Sequence, residues 1–438
     1  MQKPTSSFRY GIGMFGTSLA INMFRAYAAA FYVIKLGLSM DKLATIVFFY
    51  TFLDAIDNPV YGLLSDNTRT RFGRRKPWLF IATPLFFVFF ILFYSPPASL
   101  SKDMLFAWAF VFYSLAGTLD SLINANYGAL FPELFPEEKV RAKTNAIRQI
   151  CQLFAMVIGL ALTPMITDKI GYTPTAIIYG VLSLIVIMYM TLGVKEVEIS
   201  KVGEKVAIVP ALLAMVKSKN FWIAGVANAF YSAAMALVLA SVPFFIKYTL
   251  NIADSYGTYL MGSVILVAVL GVVMWSSLVR KHGTVKVWRI AFIVLAAAFI
   301  PMYFSNNLYF SIACCVLVGL GFSGVISTMD IIGAKVMDED YHKYGIRRQG
   351  IYSSAMGFMN RLSGLFTSLG FLLASRIYGF ISGEEPGMRA DEAARFLLTI
   401  FPFMLMILGV IATKFVHFTY DTENNKSADE AIAENANI

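Results

Sequence analysis

Residues 48–78 read FFYTFLDAIDNPVYGLLSDNTRTRFGRRKPW. The first half is long and apolar enough to belong to a bilayer span but carries Asp54 and Asp57, and the second half ends in a dense cluster of Arg and Lys. A carboxylate at the centre of a span costs roughly 2.5–3.5 kcal/mol on insertion scales, so it must face protein or water, and it becomes a functional candidate. The basic cluster predicts that this end of the span is cytoplasmic.

The rest of the chain extends this pattern. Of its 438 residues, 58% are hydrophobic and only 14% are charged, and the apolar residues fall in runs of about twenty or more. This composition predicts an all-α membrane protein in contact with the lipid bilayer. The net charge of +9 comes from Lys and Arg in short loops, which indicates membrane topology and not nucleic acid binding.

No motif indicates enzymatic chemistry. The three His residues have no second ligand at metal spacing, and no Walker, nucleophile-elbow or dinucleotide-binding pattern is present. We therefore expect neither an enzyme nor an ATP-driven pump, and no cofactor.

The apolar runs number twelve. They lie near residues 10–34, 42–64, 78–97, 104–131, 145–167, 173–194, 221–246, 256–279, 287–304, 308–333, 350–380 and 394–418. Loops after even-numbered runs are rich in Lys and Arg, whereas the intervening loops hold few, so both termini are predicted to be cytoplasmic, in a multi-pass protein of the inner or plasma membrane.

The widest polar gap divides the runs six and six. We predict an N-terminal six-helix bundle over 1–194, a cytoplasmic linker over 195–220, a C-terminal six-helix bundle over 221–418 and a disordered cytoplasmic tail over 419–438. RFGRRKPW at 71–78 recurs as KHGTVKVW at 281–288, after the second run of each half. Two six-helix pseudo-repeats around a central cavity are typical of an alternating-access transporter.

Three residues of the second run form a candidate cation site. Asp54 and Asn58 are four residues apart and share one helical stripe, and Asp57 lies about 60° from Asp54. Together with a carbonyl freed by Pro59, these oxygens could hold Na⁺, or the carboxylates could share a proton. The alternative is that both carboxylates form salt bridges to buried arginines.

The first and fourth runs hold candidate substrate ligands. Arg25 is near mid-depth in the first run, where it either contacts a ligand or pairs with a carboxylate to fasten two helices. Asp120, Asn124 and Tyr127 form a stripe on the fourth run. Aromatic rings with interleaved polar groups suit sugar recognition, but the same stripe could be a hydrogen-bonded seam between helices.

Equivalent runs of the two halves each carry an arginine. Arg361 is about 16 Å into the eleventh run at 1.5 Å per residue, which is too deep for an interfacial anchor. We therefore predict that Arg361 and the adjacent Asn360 face the cavity. Arg148 is near the start of the fifth run, where it either faces the cavity or extends to the membrane surface.

These residues resemble a known family. The second-run signature and its hairpin, Asn126 to Leu134, Asn145 to Arg148, and Tyr344 to Ile351 resemble the glycoside-pentoside-hexuronide:cation symporter family, which includes melibiose permease. The matches follow the same order over nearly the whole chain. The resemblance implies a major facilitator fold and symport of a sugar with H⁺, Na⁺ or Li⁺.

The resemblance also assigns roles to residues. Asp54 matches one carboxylate of the family's cation site, and the other falls at Asn58, for which Asp57, one position earlier, is the candidate substitute. The sugar-binding acids of melibiose-type members fall at Ser18 and Asn124, whereas Arg25 replaces a tyrosine. Because this chain lacks those two acids and has Arg25 in addition, we hypothesise an acidic substrate such as a hexuronide. An Arg guanidinium could bind its carboxylate in bidentate fashion.

We also predict a cytoplasmic gate that braces one conformational state and releases in the other. Its candidate residues are Asp66, Arg71, Arg74, Arg75 and Asp330.

The resulting prediction is a monomeric symporter of a sugar-like small molecule, coupled to Na⁺ or H⁺, with no metal beyond a possible Na⁺ at Asp54 and Asp57. One alternative is transport of a lysolipid or other amphiphile on the same fold. The other, from a different functional class, is a non-transporting membrane receptor or sensor.

Overall fold

The computed structural model describes residues 5–68, 70, 72–135, 138–196, 218–344, 359–416 and 418. Within these ranges the chain is helical, and the sole strand-like pairing is an isolated bridge between Thr70 and Gly73. The predicted all-α fold is confirmed. The helices form twelve rods, numbered α1 to α12 in chain order, several of which include a π-helical turn.

The first half contains α1 to α6. Their bounds are Ser7–Gly11, Gly13–Ala29 and the π turn Ala30–Lys35 (α1), Met40–Asn67 (α2), Lys76–Phe93 (α3), Lys102–Leu134 (α4), Glu138–Met156, the π turn Val157–Leu162 and Thr163–Ile170 (α5), and Tyr172–Gly193 (α6).

The second half contains α7 to α12. Their bounds are Lys219–Phe244 and the π turn Phe245–Leu250 (α7), the 3₁₀ turn Asp254–Tyr256 and Gly257–His282 (α8), Thr284–Tyr303 (α9), Leu308–Tyr344 (α10), Ser363–Tyr378 (α11), and Ala390–Arg395, the π turn Phe396–Ile400 and Phe401–Lys414 (α12). Residues 359–361, which include Arg361, are also helical and are separated from Ser363 by a turn at Leu362; we count them with α11.

Local sequence sets several helix ends. The Ser101 hydroxyl accepts a hydrogen bond from the backbone N–H of Met104 at 3.3 Å and caps α4, and Ser218 caps α7 in the same way. Pro77 lies in the first turn of α3, where its missing N–H has no cost.

Two helices extend beyond the apolar runs that predicted them. α5 begins at Glu138, although we predicted 145, and α10 continues to Tyr344, although we predicted 333. Both extensions are rich in charged residues and contain the helix formers Lys, Glu and Ala, so they are helical without being apolar. Hydropathy therefore located the membrane portion and missed the helical extension into water.

Nine of the described helical rods are long and apolar enough by themselves to cross a membrane. The other three are α1, α2 and α11, of which α1 and α2 carry ionisable residues in mid-span and α11 is short as described. The same three helices contribute most of the polar lining of the central cavity described below. The low hydropathy of α1, α2 and α11 therefore coincides with the polar side chains that they contribute to the cavity.

Each half packs mainly on itself, and the halves meet through α1 with α7, α2 with α11, and α5 with α8. The internal repeat has a structural counterpart. Gly73 and Gly283 occupy equivalent loops and both have positive φ, at 104° and 80°. The equivalent helices α1 and α7 also both end in a π turn.

The halves are joined directly at one end of the bundle, which we call the seal. There the Gly383 N–H donates to Val33 O and the Met40 N–H donates to Ile381 O, both at 2.7 Å. Lys102 also pairs with Glu384 at 2.8 Å. Backbone and charge contacts from the α11–α12 loop thus close this end.

We call the opposite end the basic end. It carries the α2–α3 and α8–α9 loops and both ends of the described chain, since the Lys195 N–H donates to Thr5 Oγ1 at 3.1 Å and Arg289 donates to Val416 O at 2.8 Å. The linker and tail predicted for 195–220 and 419–438 lie almost wholly outside the described residues.

Candidate functional site

A cavity of about 570 Å³ lies between the two halves, lined by α1, α2, α4 and α5 on one side and by α7, α10 and α11 on the other. Its volume is in the range of small-molecule sites. Of the predicted site residues, it brings together Arg25, Asp54, Asn360 and Arg361. We call the level at which these four lie the polar waist.

Asp54 is the centre of the waist and is 8% exposed. The Arg361 guanidinium contacts its carboxylate and also donates to Asp54 O at 3.0 Å and to Ser121 Oγ at 3.1 Å. The hydroxyls of Ser121 and Tyr50 donate to the same carboxylate at 2.9 and 3.2 Å. This cluster links α2 and α4 of the first half to α11 of the second.

Two glycines permit these approaches. A Cβ at Gly117 of α4 would lie 2.3 Å from the Tyr50 ring and hydroxyl, so only glycine leaves room for Tyr50 to reach Asp54. A Cβ at Gly364 of α11 would lie 2.1 Å from Thr51 Oγ1. The close crossing of α2 and α11 therefore also depends on a glycine.

Arg25 forms the second polar group of the waist. Its Nη2 is 3.2 Å from Asp120 Oδ2, and Asn124 donates to the other Asp120 oxygen at 2.7 Å. Asp120 is buried, yet the Arg25 side chain is 58% exposed within the cavity wall. One turn away, the buried Asn22 Nδ2 has no hydrogen-bond partner among the described residues. The cavity thus presents hydrogen-bond donors that a ligand could use.

Asp57 has different neighbours from Asp54. The Thr118 hydroxyl donates a hydrogen bond to Asp57 Oδ2 at 2.8 Å, and the Tyr61 side chain is also hydrogen-bonded to the Asp57 carboxylate. Asp57 is not among the described cavity residues, and the side chain of Asn58 lies outside the described part. The two carboxylates share no hydrogen-bond partner among the described residues, and no described cluster of His, Cys, Asp and Glu could hold a metal ion.

Tyr127 and Arg148 lie together, away from the described lining of the cavity. Tyr127 stacks on Tyr10 at 4.7 Å, and its hydroxyl donates to Tyr10 O at 3.2 Å. The Arg148 guanidinium is 4.5 Å from the Phe131 ring centre and 5.2 Å from that of Tyr127. Arg148 therefore forms a cation–π contact in this structure.

The predicted gate is partly described. Arg75 is buried and donates to the Ser65 hydroxyl. The backbone N–H groups of Arg74, Arg75 and Lys76 donate to the Glu196 carboxylate at 2.6–3.1 Å. Arg71 and the side chains of Asp66 and Asp330 lie outside the described residues.

Sequence reasoning missed Glu196, Ser121 and Tyr50. Tyr50 precedes Asp54 by four residues, so helical spacing could have identified it. Glu196 is more than 100 residues from its partners, and Ser121 contacts Asp54 across two helices. Nothing in the sequence alone pointed to those two pairings.

Comparisons with known proteins agree with this architecture. The profile of the MFS/sugar transport protein family matches residues 9–422. An isoprimeverose transporter of Lactiplantibacillus pentosus is 24% identical over 93% of this chain and 87% of its own length. An Escherichia coli K12 protein provisionally named a sulfoquinovose importer is 25% identical over 93% and 89%.

A more distant relative and a solved structure complete the comparison. The sodium-dependent lysophosphatidylcholine symporter 1-A of Danio rerio is 23% identical over 85% of this chain and 78% of its own. The crystal structure of the nucleoside transporter NupG superposes with a TM-score of 0.69 at 12% identity and covers 94% of this chain and 99% of that one. The predicted major facilitator fold is confirmed.

Proposed function

The chain belongs to the MFS/sugar transport protein family, and from that premise we propose that it moves an acidic sugar or glycoside by alternating access, coupled to Na⁺ or H⁺. It is a multi-pass membrane transporter, and its relatives and structural neighbours are transporters and not enzymes. Family membership favours transport over the receptor alternative.

The observation that carries the proposal is the Asp54–Arg361 pair between the halves. When the halves separate at this level, Arg361 leaves with α11 and Asp54 is left buried beside the hydroxyls of Ser121 and Tyr50. A buried carboxylate without its counter-ion is costly, so Asp54 would then take up a proton or Na⁺. Exchange between an internal guanidinium and an external cation would couple ion binding to the conformational change. Asp57 would assist from its separate position.

The acidic character of the substrate rests on Arg25. Among the described residues its one carboxylate partner is Asp120, and more than half of the Arg25 side chain is exposed. A guanidinium with free donors suits bidentate binding of a carboxylate or sulfonate, and Asn22 supplies a further donor. The relative provisionally named for sulfoquinovose, a sugar sulfonate, is consistent with such a substrate.

We infer the orientation of the protein in the membrane from the distribution of its positive charge. The excess of Lys and Arg at the basic end favours a cytoplasmic location for that end and for both termini. The seal would then face outward. We place the protein in the cell membrane as a monomer.

A lysolipid or similar amphiphile is a second candidate substrate. The supporting observation is that much of the cavity lining is apolar, and one relative is a lysophosphatidylcholine symporter. Such a substrate would compete with glycosides for the same cavity.

Uptake into proteoliposomes tests the proposal. Paired neutral and acidic glycosides would be supplied with and without a Na⁺ gradient and with a protonophore. We expect acidic glycosides to accumulate, and Arg25→Gln to weaken their uptake about tenfold or more through loss of a charge-assisted hydrogen bond. Asp54→Cys should abolish accumulation and retain counterflow.

Arg376→Gln is the matched control, because Arg376 is 71% exposed at the seal and pairs only with Asp41 among described carboxylates. It should leave uptake near wild type. Preference for neutral glycosides that Arg25→Gln does not change would refute the acidic substrate. Normal accumulation by Asp54→Cys would refute its coupling role.

A further inference from the structure

Two cations of the first half converge on the C-terminal end of α6, and neither is among the described cavity residues. The Arg9 Nε donates to Tyr189 O at 3.1 Å, and the Lys76 Nζ donates to Val194 O at 2.9 Å. Arg9 belongs to α1 and Lys76 to the first turn of α3, so three helices build this cluster. Lys195, which is exposed, adds a positive charge at the position after Val194.

The Arg9 guanidinium is held in a defined place. Its Cζ lies 4.5 Å from the centre of the Tyr189 ring, which is a cation–π contact. A Cβ at Gly193 would collide with Arg9 Nε, so this glycine leaves room for the side chain to cross α6. Among the described residues, Arg9 has one hydrogen bond, through Nε, and no carboxylate partner. Its terminal nitrogens are therefore donors that a phosphate could use.

The cluster carries an excess of positive charge at the membrane surface. The adjacent carboxylate of Glu196 already accepts hydrogen bonds from the backbone N–H groups of Arg74, Arg75 and Lys76. The cluster also lies where the apolar span Tyr172–Gly193 ends, which is the level of the lipid headgroups. An anionic headgroup would therefore be attracted to it.

An apolar stripe of α6 continues from the cluster into the membrane. Ile178, Ile185 and Leu192 are seven residues apart, which places them on one helical face, and they are 52%, 58% and 64% exposed. From Ile178 to Leu192 the helix rises about 21 Å, more than the roughly 15 Å of hydrocarbon in one leaflet. An acyl chain could therefore lie along this stripe while its headgroup reaches the cations.

We propose that Arg9, Lys76 and the α6 stripe form a binding site for an anionic phospholipid, with its phosphate against the two cations and an acyl chain along Ile185 and Leu192. A zwitterionic lipid carries a positive group beside its phosphate, which the surplus cations repel. Each Lys or Arg at a membrane surface strengthens the attraction of an anionic lipid about fivefold. The site lies on the lipid-facing side of the first half and does not depend on which solute the protein moves.

Lipid binding to the purified full chain in detergent, measured by native mass spectrometry, tests this proposal. The probes are palmitoyl-oleoyl phosphatidylglycerol, phosphatidylcholine with the same chains, and glycerophosphoglycerol, which is the headgroup without chains. We expect the first phosphatidylglycerol to bind at least about tenfold more tightly than phosphatidylcholine. Arg9→Gln should weaken phosphatidylglycerol binding about fivefold and leave phosphatidylcholine binding unchanged, which also reports that the variant is folded.

Lys286→Gln is the matched control. Lys286 occupies the position of Lys76 in the repeat at 281–288 and is exposed at the same basic end. Its replacement removes the same charge as Arg9→Gln but should leave phosphatidylglycerol binding near wild type. Gly193→Ala is the second test variant, because its methyl group would displace Arg9 from Tyr189 without a change of net charge. It should reproduce the loss seen in Arg9→Gln.

Equal affinity of the wild type for the two lipids would overturn the proposal. Equal losses in Arg9→Gln and Lys286→Gln, or full phosphatidylglycerol binding by Gly193→Ala, would also overturn it, because the lipid would then respond to overall charge and not to a positioned guanidinium. Displacement of the lipid by an equal concentration of glycerophosphoglycerol would overturn it in favour of a soluble phosphodiester. Every readout is lipid binding, so none of these outcomes alters the proposed function.

Discussion

The Asp54–Arg361 pair can be isolated by replacing Asp54 with Asn and Arg361 with Gln, singly and together. The two side chains are only 12% and 18% exposed. Removing one partner of a buried pair costs about 3–5 kcal/mol, mostly because the other charge is left unpaired. We therefore expect each single variant to lose about 3 kcal/mol, and the double variant to lose no more than either.

The coupling free energy from this double-mutant cycle should then be at least about 3 kcal/mol. The measurement is the free energy of unfolding of the purified protein in mixed micelles, titrated for all four variants under one condition. The result would be a direct measure of how strongly the waist holds α2 and α11 together.

Asp41 and Arg376 provide a matched control pair. They join the same two helices at the seal, at 3.3 Å, but are 36% and 71% exposed. Exposed pairs contribute about 0.2–1 kcal/mol, so the second cycle should give a small coupling. If the two cycles give equally small values, or if the costs of Asp54→Asn and Arg361→Gln simply add, the reasoning about the waist is wrong.

Three further predictions follow from single side chains. Glu196→Gln should lower the free energy of unfolding by about 1–2 kcal/mol, because it weakens the hydrogen bonds at the α3 N-terminus; unchanged stability would contradict this. Gly117→Ala should cost about 1–3 kcal/mol by displacing Tyr50, whereas Gly128→Ala, on the same helix with nothing within 4 Å of its Cβ, should be neutral or stabilising; equal effects would refute the packing argument. Asp57→Asn should retain cation-driven accumulation in proteoliposomes, because Asp57 is not among the described cavity residues, and complete loss would show that it is an essential coupling group.

Much of the architecture was predictable from local sequence. Apolar runs, basic loops and the repeat at 71–78 and 281–288 predicted all twelve helical rods, because each depends on residues close together in the chain. The same reasoning placed Arg25, Asp54 and Arg361 in a central cavity, because a buried charge has few tolerable surroundings in a membrane. It misjudged helix ends where polar helix formers extend α5 and α10 into water.

Tertiary structure decided which of these charged groups meet. Helical spacing places Asp54 and Asp57 about 60° apart on α2, but rotation of α2 against α4 and α11 turns one toward Arg361 and the other toward Thr118. Glu196, which follows α6 at the C-terminal end of the first half's sequence, contacts the N-terminus of α3. Sequence determines the order of groups along each helix, whereas packing between helices sets each helix's rotation and therefore the partners of its side chains.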